Sequence, residues 1–289
     1  MAHIPSAYAG LEWGRAVTRV GRAWVGLVVV VLVGGCGSSG GDADEVRPTD
    51  AKDSSSPPPG RAGFVVRYEE PASADRDAAS FLRARRPMEA AVEALGAFVD
   101  PGREIAVVGR SCGGEGSAYD PETRRIQVCY DDLADERALF ERGGHRPADD
   151  EVVAVVAETV YHEAGHALVD VLRLPFDERA EEDAADRFAA LLLLRQGVDG
   201  ERQLRAAVEE YRLSAAEADR ADRDAKDEHA PDLVRAADHL CRLYGAAPDR
   251  NPDLANTSLL PRERVAGCAA EWTRARDAWL KDLAPILRR

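Results

Sequence analysis

The feature that most constrains this chain is the segment His162-Glu163-Ala164-Gly165-His166, which lies in an apolar run from position 152 to position 171. The spacing of the run predicts a helix, on which residues four apart share a face, so the rings of His162 and His166 point the same way. Two such imidazoles can fill two of the four tetrahedral positions around a Zn²⁺ ion. Glu163 lies about 100° round the same turn, where its carboxylate reaches a water at the ion. This spacing is typical of zinc hydrolases, with Glu163 as the general base.

A third ligand has to come from another segment, and the carboxylates that follow Pro175 are the candidates. They open a second predicted helix, from Arg179 to about Gln196. A helix, a short turn and a second helix form an αα-hairpin, which returns over the first helix. Glu182 and Asp186 share one face, so Glu182 can bind the ion while Asp186 accepts a hydrogen bond from a ligand histidine. Glu181 is the alternative ligand, because helical spacing does not choose between adjacent glutamates.

The two motifs together resemble the gluzincin metallopeptidases, in which a Glu-x-x-x-Asp motif follows the HExxH helix. The chain from about Phe64 onward is also similar to a bacterial domain family of metallopeptidases to which no substrate is attached. The resemblance implies a zincin-like fold with one Zn²⁺ ion. It also implies that Glu182 is the third ligand and that Asp186 supports a ligand histidine. The other matching segments are Cys112-Gly113, Ala118 to Pro121, Ile126 to Tyr130, Asp227-Glu228-His229, Cys241 to Gly245 and Leu260 to Cys268.

His229 is a further candidate, since it precedes a predicted helix and is followed by Pro231. In gluzincin-like sites a His or Tyr from a later helix often steadies the oxyanion of the tetrahedral intermediate, so the resemblance implies a catalytic role for His229. The alternative interpretation is a helix-capping or exposed histidine.

The N-terminus has the pattern of an export signal. Arg15, Arg19 and Arg22 precede the apolar stretch from Ala23 to Val33, which is too short to span a membrane. Cys36 follows two small residues, as in a lipobox, so we expect cleavage after residue 35 and a lipid on Cys36. The alternative is a plain signal peptide with an incidental cysteine. Residues 36–62 are rich in Gly, Ser and Pro and predict a flexible tether, so the chain is expected to be exported and lipid-anchored to the extracytoplasmic face of a bacterial membrane.

The folded part is expected to span residues 63–289 and to belong to the α+β class. Strands are predicted at Phe64–Tyr68, Glu104–Val108 and Arg124–Tyr130, with a helix from about Ala78 to Val99. A mainly helical part that carries the HExxH helix follows, and strands before helices are typical of α+β folds. By analogy with zincins, Arg124–Tyr130 is the candidate for an edge strand that binds substrate backbone.

Four cysteines remain once Cys36 is lipidated, and an exported chain meets an oxidising compartment. Four cysteines allow three connectivities. Local proximity and the family resemblance favour Cys112–Cys129 and Cys241–Cys268. The absence of a C-x-x-C pair argues against zinc ligation by these residues.

The charge balance bears on the partners. The 289 residues carry a formal net charge of −14, whereas nucleic-acid binding needs a basic surface, so no nucleic-acid partner is expected.

Three functional hypotheses remain. The first is a membrane-tethered zinc peptidase that acts on a peptide or protein of the cell envelope. The others are a non-catalytic envelope lipoprotein with a structural or vestigial metal site, and a zinc amidase that acts on a cell-wall component.

Overall fold

The computed structural model describes residues 63–217 and 229–288. The signal peptide, the lipidated Cys36 and the tether expected within residues 1–62 lie outside the described residues, as do Asp227 and Glu228. Among the helices that are described, none combines the length and the apolar character needed to cross a membrane.

One mixed sheet is found in the described part of the chain. Three of its strands are parallel, in the order β1-β2-β4, and β3 is antiparallel to β4 at the far edge. A helical crossover joins β1 to β2, as parallel neighbours require. β2 is an apolar run buried on both faces, which is typical of a covered parallel strand. The strands are β1 (Gly63–Tyr68), β2 (Glu104–Arg110), β3 (Ala118–Asp120) and β4 (Arg125–Cys129).

The helices follow the sheet in the chain, apart from the crossover pair, and the predicted α+β class is confirmed. The helix expected from Ala78 to Val99 is in fact two helices, because Pro87 disfavours helical geometry at the residue before it. Arg86 accordingly adopts a left-handed conformation, and Pro87 begins the next helix. The helices are α1 (Arg76–Arg85), α2 (Pro87–Phe98), α3 (Tyr130–Arg142), α4 (Asp149–Leu172), α5 (Glu178–Leu194), α6 (Val198–Glu217), α7 (Asp232–Ala246) and α8 (Arg262–Leu283).

The edge-strand role expected for Arg124–Tyr130 is wrong. β4 is paired to β2 on one side and to β3 on the other, so its backbone is already engaged in the sheet. The edge strand of this sheet next to α4 is β3. β3 has only three residues, which is too short for an alternating pattern to appear in the sequence.

α4 is the central helix of the fold. It packs against α2, α5, α6 and β4, and its residues Val160, Ala164, Ala167 and Leu168 are fully buried. α5 comes close to it at Gly165, where a Cβ atom would stand 2.8 Å from the Cα of Ala185. The glycine therefore permits the short distance between the two helices on which the site depends.

Two disulfides are present, Cys112–Cys129 and Cys241–Cys268, and these are the pairings that proximity and the resemblance favour. The first joins the segment after β2 to the end of β4. The second joins α7 to α8, which holds α7 in place next to the site described below.

Candidate metal centre

The site lies between α4 and α5, where three ligand-type side chains meet. The Nε2 atoms of His162 and His166 are 3.2 Å apart. Glu182 contacts both rings: its Oε2 is 3.2 Å from Nε2 of His162, and its Oε1 is 3.4 Å from Nε2 of His166. The spacing of four on α4 and the return of α5 thus bring the two histidines and this glutamate to one point.

The turn between the helices explains how Glu182 reaches this point. α4 ends at Leu172, and the next residue, Arg173, adopts a left-handed conformation and donates its backbone N–H to the last turn. α5 begins after Asp177, whose side chain accepts a hydrogen bond from the backbone N–H of Ala180 at 2.9 Å and so caps the helix. The short turn makes the helices antiparallel, so the first residues of α5 lie beside the last residues of α4.

Each histidine is fixed from behind by a second carboxylate. Nδ1 of His162 donates to Oδ1 of Asp186 at 3.0 Å, as the sequence predicts. Nδ1 of His166 donates to Oε1 of Glu181 at 2.9 Å. Glu181 therefore lies at the rear nitrogen of His166, whereas Glu182 faces both front nitrogens. Sequence reasoning treated Glu181 only as a competing ligand and missed this contact, although it is the neighbour of Glu182 on the same turn.

The donor set fits a divalent cation. Carboxylates only accept hydrogen bonds, so both Nδ1 atoms donate, and in a neutral imidazole the Nε2 atom then carries the lone pair. When the Nε2 atoms carry no proton, two lone pairs and a carboxylate face one another within 3.4 Å. Facing acceptors repel unless a cation lies between them, and two imidazole nitrogens with one carboxylate oxygen are a ligand set typical of zinc.

Besides the group in which His162 and Glu182 meet His229, two other groups of ligand-type atoms occur among the residues that the structure describes. One contains Cys112 and Cys129, which are joined in a disulfide and so offer no thiolate. The other joins His162 and Asp186 to Glu158, but the two already share the hydrogen bond described above. The group around Glu182, which His162, His166 and His229 all approach, is therefore the best candidate.

Glu163 lies beside these ligand atoms and lines the same cleft. Its side chain is almost completely buried, and this burial raises the pKa of its carboxyl group, although the charges of His162 and His166 oppose the shift. The backbone of Tyr119 on β3 lowers the same pKa slightly, by favouring the ionised carboxylate. The edge strand thus lies next to the candidate general base.

His229 is at the mouth of the site. Its Nε2 atom is 2.8 Å from Oε2 of Glu182, and its ring stacks on that of His162 with centroids 6.0 Å apart. The side chain of Arg179 donates to the backbone carbonyl of His229 at 2.7 Å. His229 therefore faces the ligand atoms rather than solvent alone.

The electrostatics of the site are dominated by the pairing of acids with histidines. Burial lowers the pKa of His162, but the hydrogen bonds to Asp186 and Glu182 outweigh burial and raise this pKa to about 10. Burial likewise works against ionisation of Glu182, yet its contacts with His162, His166 and His229 hold the pKa well below the usual range. The site is therefore strongly attractive to positive charge, either a proton or a metal ion.

These side chains line an open cleft of about 620 Å³. Residues 117–119 and Pro121, in and around β3, form one wall, and the end of α4 and the start of α5 form the other. Tyr119 donates its hydroxyl to Asp170 at 2.9 Å across the cleft wall. The sequence gives no signal for this contact, since the two residues are 51 positions apart.

The central helix of this α+β fold therefore presents two histidines and a glutamate toward the carboxylate of the next helix, which is the arrangement of a candidate metal centre. The family described as "Putative metallopeptidase" matches residues 68–283, and the chain belongs to this family. Neither a curated protein nor a solved structure shows a significant match to the chain.

Proposed function

We propose that this chain is a zinc-dependent metallopeptidase of the gluzincin type that cleaves peptide bonds. The observation on which the proposal rests is the meeting of three ligand-type side chains, with contacts of 3.4 Å or less between them, next to the buried carboxylate of Glu163. Membership of a metallopeptidase family supports it.

In this proposal His162, His166 and Glu182 hold the ion. Asp186 and Glu181 fix the two rings by accepting hydrogen bonds from their Nδ1 atoms. A bound zinc ion supplies Lewis acidity, which lowers the pKa of water and polarises a carbonyl group. Three protein ligands are the usual number for a catalytic zinc site, since the remaining position is needed for chemistry.

Glu163 is proposed as the general base. Its carboxylate accepts the proton of the attacking water and then delivers that proton to the leaving amine. The raised pKa of Glu163 suits this role, because a carboxylate that holds a proton more tightly than an exposed one is a stronger base.

His229 is proposed to steady the negative charge that develops on the carbonyl oxygen of the substrate. Support comes from its place at the mouth of the cleft, with Nε2 turned toward Glu182. This role needs the imidazole to donate a hydrogen bond to the oxygen, which an Nε2–H group can do.

The substrate is proposed to be a peptide or protein of the cell envelope. The export pattern, Cys36 and the tether support a lipid-anchored enzyme at the extracytoplasmic face of a membrane. The open cleft of about 620 Å³ has the edge strand β3 beside it, to which an extended chain could add as a further strand.

The test uses the full chain, a broad peptide library and the variant Glu163→Gln. Loss of the general base should lower kcat by about 10²–10⁴-fold, while the zinc content stays at the wild-type level because Glu163 does not bind the ion. Glu178→Gln is the matched control: Glu178 lines the same cleft at the first residue of α5, and its variant should cleave like wild type.

Full cleavage by Glu163→Gln would remove the general-base assignment. Bound zinc in the wild type without cleavage of any peptide would favour the non-catalytic lipoprotein, and release of fragments from cell-wall material alone would favour the amidase.

A further inference from the structure

Asp186 contacts more than a ligand histidine. Its Oδ1 atom, which accepts from Nδ1 of His162, also accepts from Nη2 of Arg235 at 2.6 Å. Its Oδ2 atom accepts from Nε of the same arginine at 3.1 Å. The guanidinium group therefore forms a bidentate pair with Asp186. This geometry fixes the plane of the carboxylate as well as its position.

Arg235 is itself held firmly. Its side chain is only 13% exposed, and its guanidinium stacks over the ring of Tyr211 on α6 at 4.3 Å. α7, which carries Arg235, packs on α5, α6 and α8 and is joined to α8 by the disulfide Cys241–Cys268. A side chain fixed in this way can impose its position on the residue that it binds.

Asp186 needs such a partner. It is buried, and the acid Glu158 interacts with it, so an unpaired carboxylate here would be costly. One hydrogen bond to His162 would also leave the carboxylate free to rotate about it. The second contact, from Arg235, removes that freedom.

We propose that Arg235 is a positioning residue of the metal centre, which fixes Asp186 and through it the ring of His162. This inference rests on the proposed function, because it assigns to Arg235 a part in holding the ion of that site. The contacts run from α7 through α5 to α4. Because α7 also follows His229 in the chain, the packing of this one helix helps to position both Asp186, behind His162, and His229, at the mouth of the site.

A purely structural arginine has to be distinguished from a positioning one. Either kind would lower stability when replaced, but only a positioning residue acts on the ion through Asp186. A double-mutant cycle between Arg235→Gln and Asp186→Asn separates the two, because the effect of the first change on zinc affinity should vanish once Asp186 no longer needs it.

The experiment measures zinc affinity of the full chain by competition with a chromogenic chelator, together with the unfolding midpoint of the metal-free chain. Arg235→Gln should weaken zinc binding by about 10–100-fold, the usual effect of removing an outer partner of a metal ligand. In the Asp186→Asn background the same change should alter the affinity by less than about threefold. Should Arg235→Gln fail to fold, Arg235→Lys, which keeps the charge without the two-point contact, is expected to bind zinc more weakly than wild type.

Arg242→Gln is the matched control. Arg242 lies on the same helix, but its hydrogen bond and ion pair go to His239 and Asp238 instead of Asp186. Only its charge acts on Asp186, so its loss should lower stability and weaken zinc binding much less than Arg235→Gln does. Equal losses from Arg235→Gln with and without Asp186, or wild-type affinity in Arg235→Lys, would overturn the inference alone. A wild-type chain that binds no zinc would overturn both the inference and the proposed function.

Discussion

Replacing Gly165 by alanine is expected to weaken metal binding by forcing α4 and α5 apart. A Cβ atom at this position would stand 2.8 Å from the Cα and 3.2 Å from the Cβ of Ala185. Carbon atoms pack at about 3.5–4.0 Å, so the helices would have to separate by roughly 1 Å. No rotation of a side chain can relieve the contact, because the nearest atom belongs to the backbone.

The magnitude follows from two opposing terms. Alanine is a better helix former than glycine by about 1 kcal/mol, whereas overpacking a close helix contact costs about 1–3 kcal/mol. The stability should therefore stay level or fall by up to about 2 kcal/mol. A metal site tolerates displacements of only about 0.5 Å, so the shift of Glu182 away from the histidines should lower zinc affinity by about tenfold or more.

Zinc affinity from chelator competition and stability from urea unfolding of the metal-free chain test this prediction. Gly96→Ala is the control, since Gly96 is in the helix α2 and a Cβ atom there meets no atom within 4 Å. That variant should gain about 0.5–1 kcal/mol and leave zinc binding unchanged. A Gly165→Ala variant with wild-type zinc affinity and the same gain as the control would refute the role given to this glycine.

Two further predictions concern the mouth of the cleft and the core. His229→Ala should lower kcat with little change in zinc content; loss of zinc would instead identify His229 as a ligand. Burial, together with Asp132 and Glu158, raises the pKa of Glu136 from 4.5 to about 7. The folded state thus binds this proton more tightly, so stability present below pH 4.5 should be lost as the pH rises through 7. Urea unfolding at pH 5 and pH 8 measures this loss, which should be up to about 3 kcal/mol in the wild type and much smaller in Glu136→Gln. An equal fall in the free energy of unfolding between the two pH values in both proteins would contradict the prediction.

The meeting of His162 and His166 with a carboxylate from the start of α5 could be predicted from the sequence because it depends on local spacing. Residues four apart on α4 share a face, and a short turn returns α5 over that face. The same local reasoning could not assign separate positions to Glu181 and Glu182, since that choice depends on how α5 is rotated against α4, and the packing at Gly165 sets it.

Arg235 could not be found in this way. It lies 49 residues after Asp186, and only the packing of α7 brings the two residues together. No periodicity in the sequence therefore predicts the contact. β3 was missed because three residues leave no alternation. The break before Pro87 is different, since the signal was present in the sequence and the apolar periodicity on both sides of it obscured it.

The central claim is that one ion is held by His162, His166 and Glu182, and elemental analysis of the purified full chain tests it most directly. The wild type and the Glu178→Ala control should each retain one zinc ion per chain, whereas Glu182→Ala should lose it, because the remaining imidazoles supply only two ligands. Equal zinc in Glu182→Ala and in the wild type would contradict the account and move the third ligand to another residue.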